Sequence, residues 1–156
     1  MEIDINGVKI TLTKEQLSEI ARQTNKIKFF KDIRTLEDAY EVLGDIATRY
    51  RFLLVKMKEL GVDEDTIAHT ELKVIIKAVN LCEDGKLWVP DWDNTNEAKW
   101  HIWFNMLRGF SFVYASAGDY WDNANSIVGS HLCLKTKDRA EHMGTTFLPY
   151  YKRLLK

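Results

Sequence analysis

The aromatic residues of this chain are unevenly distributed, and all five tryptophans lie between positions 88 and 121. From residue 87 to residue 112 the pattern is β-like, because aromatic residues suit the half-buried surface of a strand. We predict two antiparallel strands here, near 98–106 and 109–115, joined through Arg108 and Gly109. Rings of this size are costly to leave in water, so the segment is expected to form part of the core, a binding surface, or both.

Alternation along the first of these strands separates the large residues onto two faces. One face carries Trp100, Ile102 and Phe104, and we predict that this face packs in the core. The other face carries His101 and Trp103, which are left to cover a second layer, a partner subunit or a ligand. From sequence, both possibilities stay open for the tryptophans: mainly core, or in part a binding surface.

The chain before this segment has the pattern of consecutive helices. Thr35 is placed to cap a short helix, and acidic residues at 63–65 favour the start of another that ends before Gly85. Between them, residues 45–60 have the clearest amphipathic pattern, which Gly61 is placed to stop. The apolar residues of this pattern recur at helical spacing: Ile46, Tyr50, Leu53, Met57 and Leu60.

The N-terminal region adds a hairpin and a further helix. Apolar and polar residues alternate around Asn6-Gly7, which favours a β-hairpin with a type I′ turn. The capping box Thr13–Gln16 then opens a helix. A basic segment follows it, in which phenylalanines interleave with Lys26, Lys28, Lys31 and Arg34. This segment is expected to be a solvated face, with a phosphate or partner contact as the alternative.

The C-terminal region is expected to return to helix. A short strand at 131–134 leads to Thr136, a predicted N-cap, and then to a helix that reaches about Leu155 and is kinked or shortened by Pro149. Taken in order, these elements predict an α+β fold with an N-terminal β-hairpin, a helical middle, a small antiparallel sheet and a C-terminal helix.

The length of 156 residues favours one domain covering 1–156. We divide it into 1–34 (hairpin, helix and basic segment), 35–84 (helical part) and 85–156 (aromatic-rich sheet and terminal helix).

A net charge of -1 argues against a dedicated binder of duplex nucleic acid, which needs a basic excess. Neither a signal peptide nor an apolar run of membrane-spanning length is visible, so we expect a cytoplasmic protein with no membrane partner.

Motifs of catalysis and of metal binding are not evident. Residues 91–97 are rich in oxygen ligands but lack the glycine of an EF-hand, and the four histidines lack metal spacing. We therefore predict no metal, no cofactor and two buried thiols at Cys82 and Cys133. A phosphate-binding glycine loop and a nucleophile elbow are missing as well. An enzyme is the less favoured hypothesis, with acid–base groups drawn from Asp91, Asp93, Glu97 and His101.

The aromatic segment and the loop that follows it supply the ligand-binding residues that we predict: Trp92, His101, Trp103, Arg108, Tyr120, Trp121 and Asn123. The rings would stack on a base or sugar, because stacking tolerates many ligands. Arg108, Lys99 or the basic segment would meet a phosphate, and Asn123 or Asn125 would contact polar edges.

The same half of the chain resembles a family. It carries Trp88-x-Pro90-x-Trp92, then Glu97-x-Lys99-Trp100-x-x-Trp103-Phe104, then Val128-Gly129-Ser130-x-Leu132-Cys133-x-Lys135, with Ala140 and Phe147 further on. These motifs resemble small proteins encoded by phages and prophages of gut Bacteroidetes, over about 85–150 and more loosely elsewhere. His131 departs from the arginine usual in that family. The resemblance implies a bacterial host cell and an accessory or structural phage gene, and it implies no mechanism.

Two functions follow as expectations. The first is a non-catalytic phage-encoded binding protein for a small polar ligand, for example a sponge that sequesters a nucleotide-derived immune signal; a homo-oligomer is expected with it. The second is a structural, assembly or interaction protein of the phage that needs no small-molecule ligand.

Overall fold

The computed structural model describes residues 2–5, 8–11, 13, 27, 29–83, 85–94, 96–105, 113–119 and 132–154. The helices in these ranges are α1 (Leu36–Leu43), α2 (Asp45–Glu59), α3 (Glu64–Leu81), α4 (Lys137–Thr146) and α5 (Leu148–Leu154). A 3-10 turn (Phe30–Asp32) precedes α1. The strands are β1 (Glu2–Ile5), β2 (Val8–Thr11), β3 (Trp100–Asn105) and β4 (Val113–Asp119).

Helix α3 is the centre of the described core. Ten of its residues are buried, and α1 and α5 both pack against it. Its apolar residues point in several directions, as expected of a helix that is covered on most sides. One of the buried residues is Glu71, which forms an ion pair with Arg153 of α5 and lies 3.3 Å from the ammonium of Lys58, at the C-terminal end of α2. This carboxylate therefore joins three helices.

The expectation of an α+β fold with a small antiparallel sheet is wrong, because the described core is mainly helical. Among the described residues, strands occur only as two separate antiparallel pairs, β1 with β2 and β3 with β4. The hydrophobic cluster is drawn from the helices and their adjoining turns, and β3 adds only the partly buried Trp100, Ile102 and Phe104. The aromatic face of β3 packs onto helices, so no second sheet layer is needed to cover it.

Two strand predictions near this pair also change. The second strand, expected at 109–115, runs from Val113 to Asp119, and its register with β3 shifts between Trp103 and Phe104. Of the strand expected at 131–134, the described residues 132–134 form an isolated antiparallel bridge, in which Leu134 pairs with Trp100. Asn80 of α3 holds this region, since its amide donates to the Cys133 carbonyl and its oxygen accepts from the Lys135 N–H. The Cys133 carbonyl and the Lys135 N–H are therefore hydrogen-bonded to a side chain, and they need no partner from a neighbouring strand.

The predicted boundaries of α1 and α2 are confirmed, whereas the helix predicted after Thr13 lies outside the described residues. Thr35 and Asp38 form a reciprocal capping box, with the Asp38 N–H 3.1 Å from the Thr35 hydroxyl oxygen. Helix α2 ends one residue before the predicted Leu60, and Gly61 follows it with a left-handed φ of 68°. The Val62 N–H then donates to the Met57 carbonyl, which satisfies an end-of-helix acceptor.

The terminal helix is divided into two parts. Thr136 caps α4 as predicted, accepting from the Arg139 N–H. The chain leaves helical geometry at Phe147, which is fully buried, and α5 begins at Leu148. Pro149 is thus the second residue of a helix, where its missing N–H costs no intrahelical hydrogen bond. The predicted kink is therefore a complete break, placed just before the proline.

Candidate functional site

Glu97 organises the loop that contains Trp88 and Trp92. Its carboxylate accepts from the Trp88 indole N–H at 3.0 Å and from the Asp91 N–H at 2.7 Å. Two further turns are closed by side chains: the Asp93 N–H donates to Asp91, and the Asn96 N–H donates to Asn94. The oxygen-rich residues 91–97 are therefore used to shape the loop. Among the described residues, no group of three or more His, Cys, Asp or Glu side chains could hold a metal ion.

Lys99 is an internal support of this loop, in contrast to the phosphate contact that the sequence suggested. It is 7% exposed, and its ammonium donates to the carbonyls of Asn94 and Glu97, both at 2.9 Å. The same ammonium lies 3.4 Å from the Glu97 carboxylate and 5.6 Å from the centroid of the Trp92 ring. The N–H donors of Lys99 are thus directed at the protein, and an incoming phosphate would have to displace the carbonyls of Asn94 and Glu97 from them.

Trp92 keeps an exposed surface, whereas His101 does not. The Trp92 side chain is 36% exposed, while His101 is buried at 7%. Trp103 lies in β3 opposite Ser116, and its side chain is outside the described part of the chain. Arg108, Tyr120, Trp121 and Asn123 also lie outside the described residues. Of the seven predicted ligand-binding residues, the structure therefore exposes Trp92 and buries His101.

The predicted core face of β3 is confirmed. Trp100, Ile102 and Phe104 pack against the hydrophobic cluster, and the Phe104 ring lies 4.9 Å from the Tyr151 ring of α5. The predicted buried thiols are confirmed too, since Cys82 and Cys133 are buried and not joined in a disulfide. Burial raises the pKa of Cys133 to about 11 and also raises the pKa of Cys82. Both sulfurs are therefore poorly ionised, which makes them weak nucleophiles.

The apolar stripe of α2 is the surface that sequence reasoning missed. We call Ile46, Tyr50, Leu53, Met57 and Leu60 the α2 stripe; they follow one another at intervals of four, three, four and three residues. Helix α2 buries only Ala47 and Leu54 of its 15 residues, on a neighbouring face. Three residues of the stripe are exposed, Ile46 at 37%, Leu53 at 45% and Leu60 at 79%, whereas Tyr50 and Met57 are partly buried against the hydrophobic cluster. Exposed apolar residues that recur on one side of a helix are typical of an interaction surface.

Basic side chains flank this stripe. Arg49 and Lys56 lie along it on α2, and Lys73 and Lys77 lie one turn apart on the adjoining helix α3; we call these four the basic rim. Within the described part of the chain, only Lys56 of the four forms an ion pair, with Glu59 at 2.6 Å. The surface thus combines an apolar row with cations whose charge is largely uncompensated.

A signal for this surface was present in the sequence. The four-three spacing is that of positions a and d in a heptad, which favour helix-to-helix contact, and Arg49 and Lys56 occupy the flanking g positions. The amphipathic pattern alone does not tell whether such a row faces its own core or another molecule. The contribution of Lys73 and Lys77 could not be seen, because it depends on how α3 packs beside α2.

Comparisons with known proteins do not assign the chain to a family. It matches no protein-family model, and no curated protein or solved structure is significantly similar to it. None of the described helices is both long and apolar enough to cross a membrane.

Proposed function

We propose that this protein is a non-catalytic interaction protein that binds a helix of another protein along the α2 stripe. The observation that carries the proposal is the exposure of Ile46, Leu53 and Leu60, which belong to a row with the heptad spacing of a helix-docking seam. Apolar residues at such intervals are the anchors by which one amphipathic helix lies against another. Burying them against a partner would recover the hydrophobic free energy that the isolated chain forgoes.

The length of the stripe sets the kind of contact. From Ile46 to Leu60 it spans about two heptads, too short for a free-standing coiled coil. The face of α2 that carries Ala47 and Leu54 packs against α1 and α3, which hold the helix in place before a partner arrives. Such preorganisation lowers the entropic cost of binding. A single docked helix therefore fits this surface better than a long supercoil does.

The test uses a synthetic helical peptide with leucines at heptad positions and glutamines on both flanks. It is labelled and titrated with the protein, below the concentration at which it associates with itself. Leu53→Glu, in the middle of the stripe, is expected to abolish binding because it buries an unpaired charge. Val55→Glu is the matched control, since Val55 is also exposed but lies on the far side of α2. Equal binding by both variants, or no binding by the unaltered protein, overturns the proposal.

A second candidate function, the binding of a small ligand, is favoured by one observation. The Trp92 ring is exposed on a loop whose shape Glu97 maintains through its hydrogen bonds. In the phage setting that the resemblance implies, the ligand would be a nucleotide-derived immune signal, and the protein a sponge for it. Cyclic and ADP-ribose-type nucleotides are titrated while tryptophan fluorescence and thermal stability are followed. A response that Trp92→Ala removes supports this second function. No response to any of them removes it.

A further inference from the structure

Two cations from different helices converge on Tyr50, in the α2 stripe. The Arg49 guanidinium lies 5.1 Å from the centroid of the Tyr50 ring, and the Lys77 ammonium of α3 lies 5.7 Å from it. Burial acts to raise the pKa of Tyr50, but the hydrogen bonds and the charges of Lys77 and Arg49 more than offset it, so that the net pKa is lowered. A lowered phenol pKa reports a positive potential at this point of the surface.

The positive charge also continues along both sides of the stripe. Arg49 and Lys56 lie on one side, and Lys77 of α3 lies beside Tyr50, with Lys73 one turn before it on α3. If a second copy of the chain packed antiparallel on α2, the g positions of the two helices would face each other and would bring Arg49 against Lys56. Like charges placed opposite one another disfavour that pairing. Charge complementarity therefore points to a partner other than the chain itself.

We infer that the partner is an acidic amphipathic helix, with an apolar row that meets the α2 stripe and carboxylates on both flanks that meet the basic rim. One of these carboxylates binds at the site formed by Arg49, Tyr50 and Lys77, where the two cations flank the phenol. The inference rests on the proposed helix docking and adds to it the chemistry of the partner. An oligomer formed through another surface is a separate prediction.

Three synthetic peptides test this inference on the full chain. They share one leucine heptad row and differ only in their flanking residues, which are glutamate, glutamine or lysine. The glutamate-flanked peptide is expected to bind most tightly and the lysine-flanked peptide most weakly. The difference should shrink as salt is added, because exposed charges are screened. Equal affinity for all three overturns the acidic partner while leaving helix docking intact, whereas no binding by any of them overturns the docking itself.

Substitutions in the rim locate the carboxylate site. Lys77→Gln and Arg49→Gln are each expected to lower the affinity for the glutamate-flanked peptide about two- to fivefold, as for an exposed ion pair. The affinity for the glutamine-flanked peptide is expected to stay unchanged. Lys86→Gln is the control, since it removes the same charge from an exposed lysine in the turn after α3. An equal loss with Lys86→Gln would show a general effect of net charge and would contradict the site.

Self-association is measured on the same samples by light scattering. The protein is expected to form no oligomer that Leu53→Glu disrupts. An oligomer that is disrupted by Leu53→Glu but unaffected by Val55→Glu would show that a second copy covers the stripe, and it would overturn the inference.

Discussion

The Nε of Arg139 in α4 donates a 3.0 Å hydrogen bond to the carbonyl of Val79, near the end of α3. Its Nη2 donates to the Cys82 carbonyl, also at 3.0 Å, and the guanidinium lies 5.0 Å from the centroid of the Phe30 ring. The last carbonyls of a helix have no partners within it. A single buried side chain, 5% exposed, thus closes the end of the central helix and joins α4 to it.

Replacing Arg139 is expected to be strongly destabilising. Arg139→Met keeps much of the side-chain volume but leaves two buried carbonyls without this donor, so we expect a loss of about 3 kcal/mol in the free energy of unfolding. Arg139→Lys should recover part of the loss. Urea denaturation followed by circular dichroism measures both. The control is Lys137→Met on the same helix, because Lys137 is exposed and should change stability by less than about 0.5 kcal/mol. Similar losses for the two methionine variants would contradict the role given to Arg139.

Adjacent leucines of α2 should behave differently, because Leu54 is 3% exposed and Leu53 is on the open stripe. Leu54→Ala removes buried methyl groups and is expected to cost about 2–4 kcal/mol. Leu53→Ala is expected to change the free energy of unfolding by less than about 0.5 kcal/mol. Chemical denaturation of the two variants checks the orientation of the helix. A larger loss at Leu53 would mean that the stripe faces the core of its own chain.

His142 is expected to make the fold sensitive to acid. Its Nε2 lies 2.8 Å from the Ile33 carbonyl, which can only accept, so Nε2 carries the proton and Nδ1 accepts from the Thr146 hydroxyl. Burial lowers the pKa of His142, with Arg34 and Lys31 acting in the same direction. The unfolded chain therefore takes up the proton first, and stability falls as pH drops below about 6.5 towards the folded pKa.

The measurement is the melting temperature from about pH 7.5 to about pH 5, where an unperturbed histidine titrates. His142→Gln should show a smaller decrease over this interval than the unaltered protein, because the other titrating groups are common to both. A parallel pH dependence in the two proteins would exclude His142 as the source.

The two cysteines are expected to resist modification in the folded protein. With its pKa at about 11, roughly a thousandth of the Cys133 thiol is ionised near pH 8. A chromogenic disulfide reagent should therefore react slowly with the native chain and rapidly with both thiols in denaturant. Single Cys82→Ala and Cys133→Ala variants separate the two rates. Rapid reaction of native Cys133 would contradict its burial.

Local sequence determined the helix boundaries well. Thr35 and Thr136 cap the helices that they were predicted to cap, and Gly61 follows the end of α2 with a left-handed φ. These features depend on residues within one turn of each other, so the sequence contains the whole interaction. The alternation that placed Trp100, Ile102 and Phe104 on one face of β3 is local in the same way, although contact with the helices decides that this face joins the core.

The tertiary structure decided which apolar surfaces are covered. The α2 stripe has the spacing of a buried face, yet only the neighbouring Ala47 and Leu54 are fully buried, because contact with α1 and α3 sets the rotation of the helix. Tyr50 and Met57 are partly buried, and the rest of the stripe stays exposed. Lys99 likewise has the charge of a phosphate ligand, and only the folding of its loop directs that charge inward. Periodicity shows that a helix has an apolar side, but the packing of the whole chain determines whether its own core or another molecule will cover that side.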